Sequence, residues 1–192
     1  MRPALALVVA LACTSCGGGD STSTTELELP VTPSAAAVCA TFTPLARAVT
    51  DQTSVPAWLN AFAKVIPGGY AGYDAFHSPP AMLLVDTTKF AAAKESAAAV
   101  YFCDGFPRHL SYALPSDAVA TARYDFTRLY AWDAALAAAL GKATGVRSRQ
   151  FDLAANQILV SVVDASAETG VRGAVRSAGI PDAAVATRIV AR

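Results

Sequence analysis

From about residue 37 onward, apolar and polar positions follow two alternating rhythms. Ala57-Trp58-Leu59-Asn60-Ala61-Phe62-Ala63 spaces its large apolar residues as one helix face does, and Pro56 suits a first helical turn, where no N–H partner is needed. Tyr70 to Phe76 and Ala81 to Asp86 read as strands, separated by the turn-forming His77-Ser78-Pro79-Pro80. An alanine-rich helix from Thr88 to Val100 and a strand from Val119 to Tyr124 come next. Then the order recurs. A helix begins near Phe126, with Asp125 as its N-cap, and carries Ala131-Trp132-Asp133-Ala134-Ala135-Leu136-Ala137. Strands from Val146 to Leu153 and Gln157 to Val163 flank a turn containing Asn156, which tolerates left-handed backbone. A helix from Ser166 to Ala178 is stopped by Gly179 and Pro181, and a strand from Ala184 to Val190 closes the pattern.

The two passes share an Ala-Trp pair in the first helix. Their second strands also end alike, in Leu84-Val85-Asp86 and Val162-Val163-Asp164. The expected fold class is α+β, built from duplicated α-β-β-α-β units at residues 37–124 and 125–192. Each unit buries one face of a small antiparallel-type sheet under its helices, with the two sheets separate or merged. Residues 101–115, containing Cys103, Gly105, Pro107 and Pro115, have no counterpart in the second unit and read as a loop insertion.

The N-terminus carries a different pattern. Arg2 precedes an uncharged run from Pro3 to Ala12, then small residues around two cysteines, then Gly17-Gly18-Gly19. The run is too short to span a bilayer as a helix and has the layout of an export signal. It resembles the lipobox of bacterial lipoproteins, in which a cysteine is acylated and becomes the new N-terminus. The frame at Cys16 makes residues 1–15 the signal peptide and Cys16 the palmitate-bearing residue, with Cys13 as the alternative. The glycines after Cys16 suit a tether, and cleavage there leaves only Cys39 and Cys103 as thiols, an even number. Residues 16–36, poor in aromatics and dense in Ser, Thr, Gly and Pro, read as a disordered tether. The implied location is the cell envelope, lipid-anchored to a membrane (the periplasmic side of an outer membrane where there are two). A plain secretory signal, and hence a secreted protein, is the alternative.

Composition narrows the rest. At 54% hydrophobic and 16% charged residues, the body of the chain is too apolar for disorder. Fifteen basic residues balance fifteen acidic ones, and loss of Arg2 with the signal leaves one excess negative charge. No basic cluster exists to hold nucleic acid or an anionic membrane surface. No second apolar segment reaches spanning length, so membrane contact is expected through the N-terminal lipid alone. In an oxidising compartment Cys39 and Cys103 are expected to form a disulfide; metal or thiol chemistry, the alternative, lacks His or Asp spacing nearby.

Candidate chemistry is sparse, and no catalytic, cofactor-binding or metal-binding residue is assigned. His77 falls in a hairpin turn. His109 lies in the insertion near Asp104 and Ser111, without a nucleophile elbow. The carboxylates are dispersed. Gly68-Gly69-Tyr70-Ala71-Gly72 precedes a strand rather than opening a helix, so it reads as a loop into a tightly packed strand and not as a phosphate cradle. Arg147 and Arg149 alternate along a strand, as on a solvated face or one that meets an acidic partner. Trp58 and Trp132 occupy equivalent helix positions and are expected in the core.

One longer series carries a family likeness: Ala122-Arg123-Tyr124-Asp125-Phe126, Leu129 and Trp132, Phe151-Asp152-Leu153-Ala154-Ala155-Asn156-Gln157, Val160 to Ser166, and Ala178 to Val185. It resembles the N-terminal module that precedes trypsin-like serine protease domains in secreted bacterial proteins, and the C-terminal part of alpha-lytic-type prodomains. The likeness is best from Arg123 to Val190. It implies small prodomain-like, or ferredoxin-like, sheets and a non-enzymatic module that binds, restrains or helps fold a protease through a sheet face or edge. Because the sequence ends at Arg192, just past the last strand, the expected role is in trans, toward a protease or another envelope protein. A periplasmic small-ligand module, using a groove between the units lined by Tyr70, Tyr73, Tyr124 and Tyr130, is the competing expectation. Neither reading sets an oligomeric state.

Overall fold

A computed structural model describes residues 39–40, 42, 55–101, 103, 117–141 and 143–190. The signal, Cys13, Cys16, the tether, His109 with Asp104 and Ser111, and most of the 101–115 insertion lie outside the described residues.

Helix α1 (Val55–Val65) turns Trp58, Leu59, Phe62 and Ala63 inward, the i, i+1, i+4, i+5 spacing of a buried stripe. Strands β1 (Tyr70–Asp74) and β2 (Ala81–Leu84) form an antiparallel pair. A 3-10 turn at Thr87–Lys89 then leads into α2 (Phe90–Tyr101). Strand β3 (Ala118–Thr121) returns beside β2, giving the sheet order β1-β2-β3. The second half repeats the order. Helix α3 (Phe126–Leu140), strands β4 (Val146–Asp152) and β5 (Gln157–Val162), helix α4 (Ala165–Ser177), a 3-10 turn at Asp182–Ala184 and strand β6 (Val185–Ile189) build a separate sheet, β4-β5-β6.

The fold is thus α+β with two sheets rather than a merged one. The strand directions differ from the expected antiparallel type. In both sheets the third strand runs parallel to the central one. The reason is the connection: a hairpin reverses the chain once, whereas a helical crossover reverses it twice and returns the next strand in the same direction.

The two halves share several local features. Both hairpins carry an irregularity at the same place, between Tyr70 and Gly72 and between Val146 and Ser148. Val85 N–H donates to the Gly69 carbonyl at 3.1 Å, and Val163 N–H to that of Gly145 at 2.9 Å. Ala122 N–H reaches the Leu84 carbonyl and Val190 N–H that of Val162, each at 2.8 Å. The Asp of each Val-Asp pair caps the helical turn after it: Asp86 Oδ1 accepts from Thr88 N–H at 3.0 Å, and Asp164 Oδ1 from Ala167 N–H at 2.8 Å. Asp125 caps α3 as expected, accepting from Arg128 N–H at 2.7 Å. At the end of α4, Gly179 adopts φ +66°, and Ile180 N–H and Gly179 N–H bond the carbonyls of Val175 and Arg176. That double bond pattern closes a helix with a left-handed residue, which glycine adopts without steric cost.

Two cores result. One gathers Phe42, Trp58, Phe62, Tyr70, Met82, Leu84 and Val100; the other gathers Leu129, Leu136, Ile158, Val160, Val162 and Val175. Helix α3 serves both, with Phe126 in the first core and Leu129 and Leu136 in the second. Phe151 of β4 packs against both clusters, 4.9 Å from the Phe126 ring. Burial among apolar groups pushes the ionisation of Tyr70 far above the usual phenol range. Trp58 is core as expected, stacked on Phe62 at 5.3 Å and edge-on to Phe42 at 5.2 Å. Trp132 is only half-buried, edge-on to Tyr124 at 4.9 Å with the Arg128 guanidinium 6.0 Å from its ring centre. The two tryptophans differ because α3 lies between two cores and turns other residues inward.

Cys39 and Cys103 are bridged, with Cα atoms 5.2 Å apart. No helix among the described residues is long and apolar enough to cross a membrane.

Candidate interaction surfaces

The second sheet has an exposed edge strand among the described residues. β5 is its central strand, and β4 and β6 are its edges. Ile158, Val160 and Val162 face the helices. Pleat and register place Ser148, Gln150, Leu159, Ser161, Ala186 and Arg188 on the opposite face, a mixed face on which Ser148, Gln150 and Arg188 are exposed and Ser161 is buried. On edge strand β4, Arg147, Ser148, Arg149 and Gln150 are all exposed in succession. Arg149 is not free for an outside acid, because its Nε donates to Asp133 Oδ1 of α3 at 2.8 Å. Arg147, in the irregular step between Val146 and Ser148, is a basic side chain on that edge. The opposite edge is held to α4: Thr187 Oγ1 of β6 donates to Glu168 Oε1 at 2.8 Å. Hydrogen bonds from Arg172 and Thr187 hold the Glu168 carboxyl below the usual glutamate range.

A groove of about 350 Å³ separates the end of β1 from the end of β4. Val55, Leu59, Tyr73, Phe76, Phe151 and Leu153 make it apolar, and Asp74 and Asp152 add two carboxylates. The halves meet closely beside it. Gly72, at φ +143°, lies so near Leu153 that an added Cβ would sit 3.1 Å from the Leu153 Cβ. Of the four tyrosines expected to line such a groove, only Tyr73 does. Tyr70 is buried in the first core, Tyr124 packs on Trp132, and Tyr130 packs near Phe126 and Phe151. The expected ring of tyrosines does not form, because each faces a different neighbour.

His77 sits on the β1–β2 turn, exposed, and its Nδ1 donates to the Pro79 carbonyl at 2.7 Å. Asn156, expected only as a turn residue, does more. It adopts φ +55°, and its Oδ1 accepts from Arg123 N–H at 3.0 Å and Tyr124 N–H at 2.8 Å. Its Nδ2 donates to the Tyr124 carbonyl at 2.8 Å. The side chain thereby ties the β4–β5 turn to the segment that joins β3 to α3.

A wider cleft of about 670 Å³ runs along α4, past Ser166, Gly170, Gly173 and Ser177, toward Ala139 and Leu140 at the end of α3. A Cβ added at Gly170 or Gly173 would meet nothing within 4 Å. Mid-helix glycine costs about 1 kcal/mol relative to alanine. Gly170→Ala and Gly173→Ala are therefore each expected to stabilise the protein by about 1 kcal/mol in urea unfolding. A destabilising result at either site would show that the residue's surroundings are not open.

No group of three or more His, Cys, Asp or Glu among the described residues is placed to hold a metal ion. The chain matches no protein-family model and no curated protein.

Proposed function

We propose that the chain is a lipid-anchored, non-enzymatic interaction module of the cell envelope that binds a secreted serine protease in trans along the free edge of β4. The observation that carries this reading is the edge itself: a seven-residue strand with four consecutive exposed residues, beside a mixed sheet face. An exposed edge has backbone donors and acceptors that another chain can pair with, and main-chain pairing supplies affinity while side chains supply selectivity. The likeness of residues 123–190 to protease-associated modules names the partner class, and the lipobox-like frame at Cys16 names the anchor. The matched hydrogen bonds of the two halves support reading them as a duplicated unit, whose second copy carries the binding edge.

The test is co-elution of the full-length protein with a panel of trypsin-like and alpha-lytic-type proteases, alongside activity and refolding yield. At least one protease is expected to co-elute, and Arg147→Glu is expected to weaken that complex while leaving stability within about 0.5 kcal/mol, as for an exposed surface residue. Absence of any co-elution, activity change or refolding effect across the panel would overturn the reading.

A further inference from the structure

The groove between the halves lies at the ends of two edge strands. β1 stands at the edge of one sheet and β4 at the edge of the other, and the cavity is lined by Tyr73 and Asp74 at the end of β1, by Gln150 to Asp152 at the end of β4, and by the turn residues that follow each. An extended main chain laid there would pass the ends of two edge strands, a shape that suits a peptide better than a small compact ligand. The lining is mostly apolar, yet among the described residues it includes two carboxylates and no cationic side chain. Phe76 stands at its margin with 95% of its surface exposed.

Hydrogen bonds pin the turn that carries Phe76. Asp74 Oδ1 accepts from the N–H groups of Phe76 at 2.9 Å and His77 at 3.2 Å, and the His77 ring fastens to the Pro79 carbonyl. The turn thus presents an aromatic ring in water next to an apolar groove, the arrangement of an anchor that becomes covered when a partner docks. The carboxylates at the same place select for positive charge in whatever covers it.

We propose that this groove binds an extended peptide segment in which apolar side chains alternate with Lys or Arg, the apolar groups seated against Phe76, Tyr73, Phe151 and Leu153 and the cations facing Asp74 and Asp152. The proposal rests on the reading of the chain as a partner-binding module and adds the chemistry of the segment that the partner supplies.

The test is fluorescence anisotropy on the full-length protein with four labelled or competing probes: a seven-residue peptide alternating Lys and Leu, its Glu–Leu counterpart, its Lys–Ser counterpart, and phenethylamine. The Lys–Leu peptide is expected to bind, and the Glu–Leu and Lys–Ser peptides at least about tenfold more weakly. Phe76→Ser, at a fully exposed position, is expected to weaken Lys–Leu binding about tenfold. The double variant Asp74→Asn, Asp152→Asn keeps a side-chain oxygen as acceptor at each position, removes both charges, and is expected to weaken it about fivefold. Equal binding of the Glu–Leu peptide, indifference to Phe76→Ser, or phenethylamine binding without peptide binding would each overturn the proposal. Protease co-elution is scored separately on Arg147→Glu. A protease that co-elutes while the peptide fails to bind overturns the groove and leaves the edge reading standing.

Discussion

Replacing both Cys39 and Cys103 with serine is expected to lower the stability of the domain by about 4 kcal/mol, the largest loss we foresee from any change that leaves the core side chains in place. The bridge spans a sequence separation of 64 residues, so removing it returns considerable conformational freedom to the unfolded chain. Its position compounds the effect. Cys103 lies just past α2, and its N–H bonds the Val100 carbonyl, so one end is fixed to the first core. The other end holds helical backbone that includes the fully buried Phe42, whose ring contacts Trp58 and Phe62. In urea the midpoint of the double variant is expected to fall by about 2 M, and the wild type under reducing conditions should fall with it. An unchanged midpoint in both would show that the bridge does not restrain the unfolded chain.

The second large effect concerns Asn156. Its side chain makes three hydrogen bonds to backbone groups of Arg123 and Tyr124, and only 8% of the residue is exposed. Asn156→Ala removes all three, leaves two donors and one acceptor in a part-buried place, and puts a methyl side chain at positive φ. Each lost bond costs about 1 kcal/mol, and left-handed backbone about another 1 kcal/mol. We expect a loss of about 3 to 4 kcal/mol from these terms. Asn156→Gly separates the two causes, because glycine accepts the backbone but not the bonds, and should recover about 1 kcal/mol of the loss. Hydrogen exchange gives the local readout: the Arg123 and Tyr124 amides should lose protection in both variants before the β4–β5 ladder does. Equal stability of the alanine and glycine variants would mean that the backbone conformation contributes nothing.

These two positions also show how far the amino-acid sequence can be read. Local signals are legible where the physics is local. Asp125 before Phe126, Gly179 after Ser177 and the Pro-rich turn after Phe76 all mark real boundaries, because caps and turns depend on neighbours within a few residues. Each Val-Asp pair marks the end of a central strand, and both aspartates cap the helical start that follows. Strand direction is not legible in the same way. Alternation along a strand is the same whichever way its neighbour runs, and only the helical crossover decides it. The tryptophans look equivalent for a related reason: a helix facing one core and a helix shared between two have the same spacing but different buried faces. Asn156 shows only its turn preference, since a bond to residues 32 and 33 positions away leaves no local pattern.

The candidate surfaces are less legible still. Arg147 and Arg149 have the same side chain two residues apart, yet Asp133 engages one of them. That contact depends on how α3 packs over β4. The groove beside Phe76 brings together chain segments separated by more than seventy residues, so no local window contains both carboxylates.

The exposed edge of β4 is where a partner is expected to dock. Hydrogen exchange on the full-length protein, with and without a co-eluting protease, tests this expectation most directly. New protection is expected to concentrate in residues 147–150, with little change at the β6 edge that is held to Glu168. Protection absent from β4, or confined to α4 and β6, would contradict it.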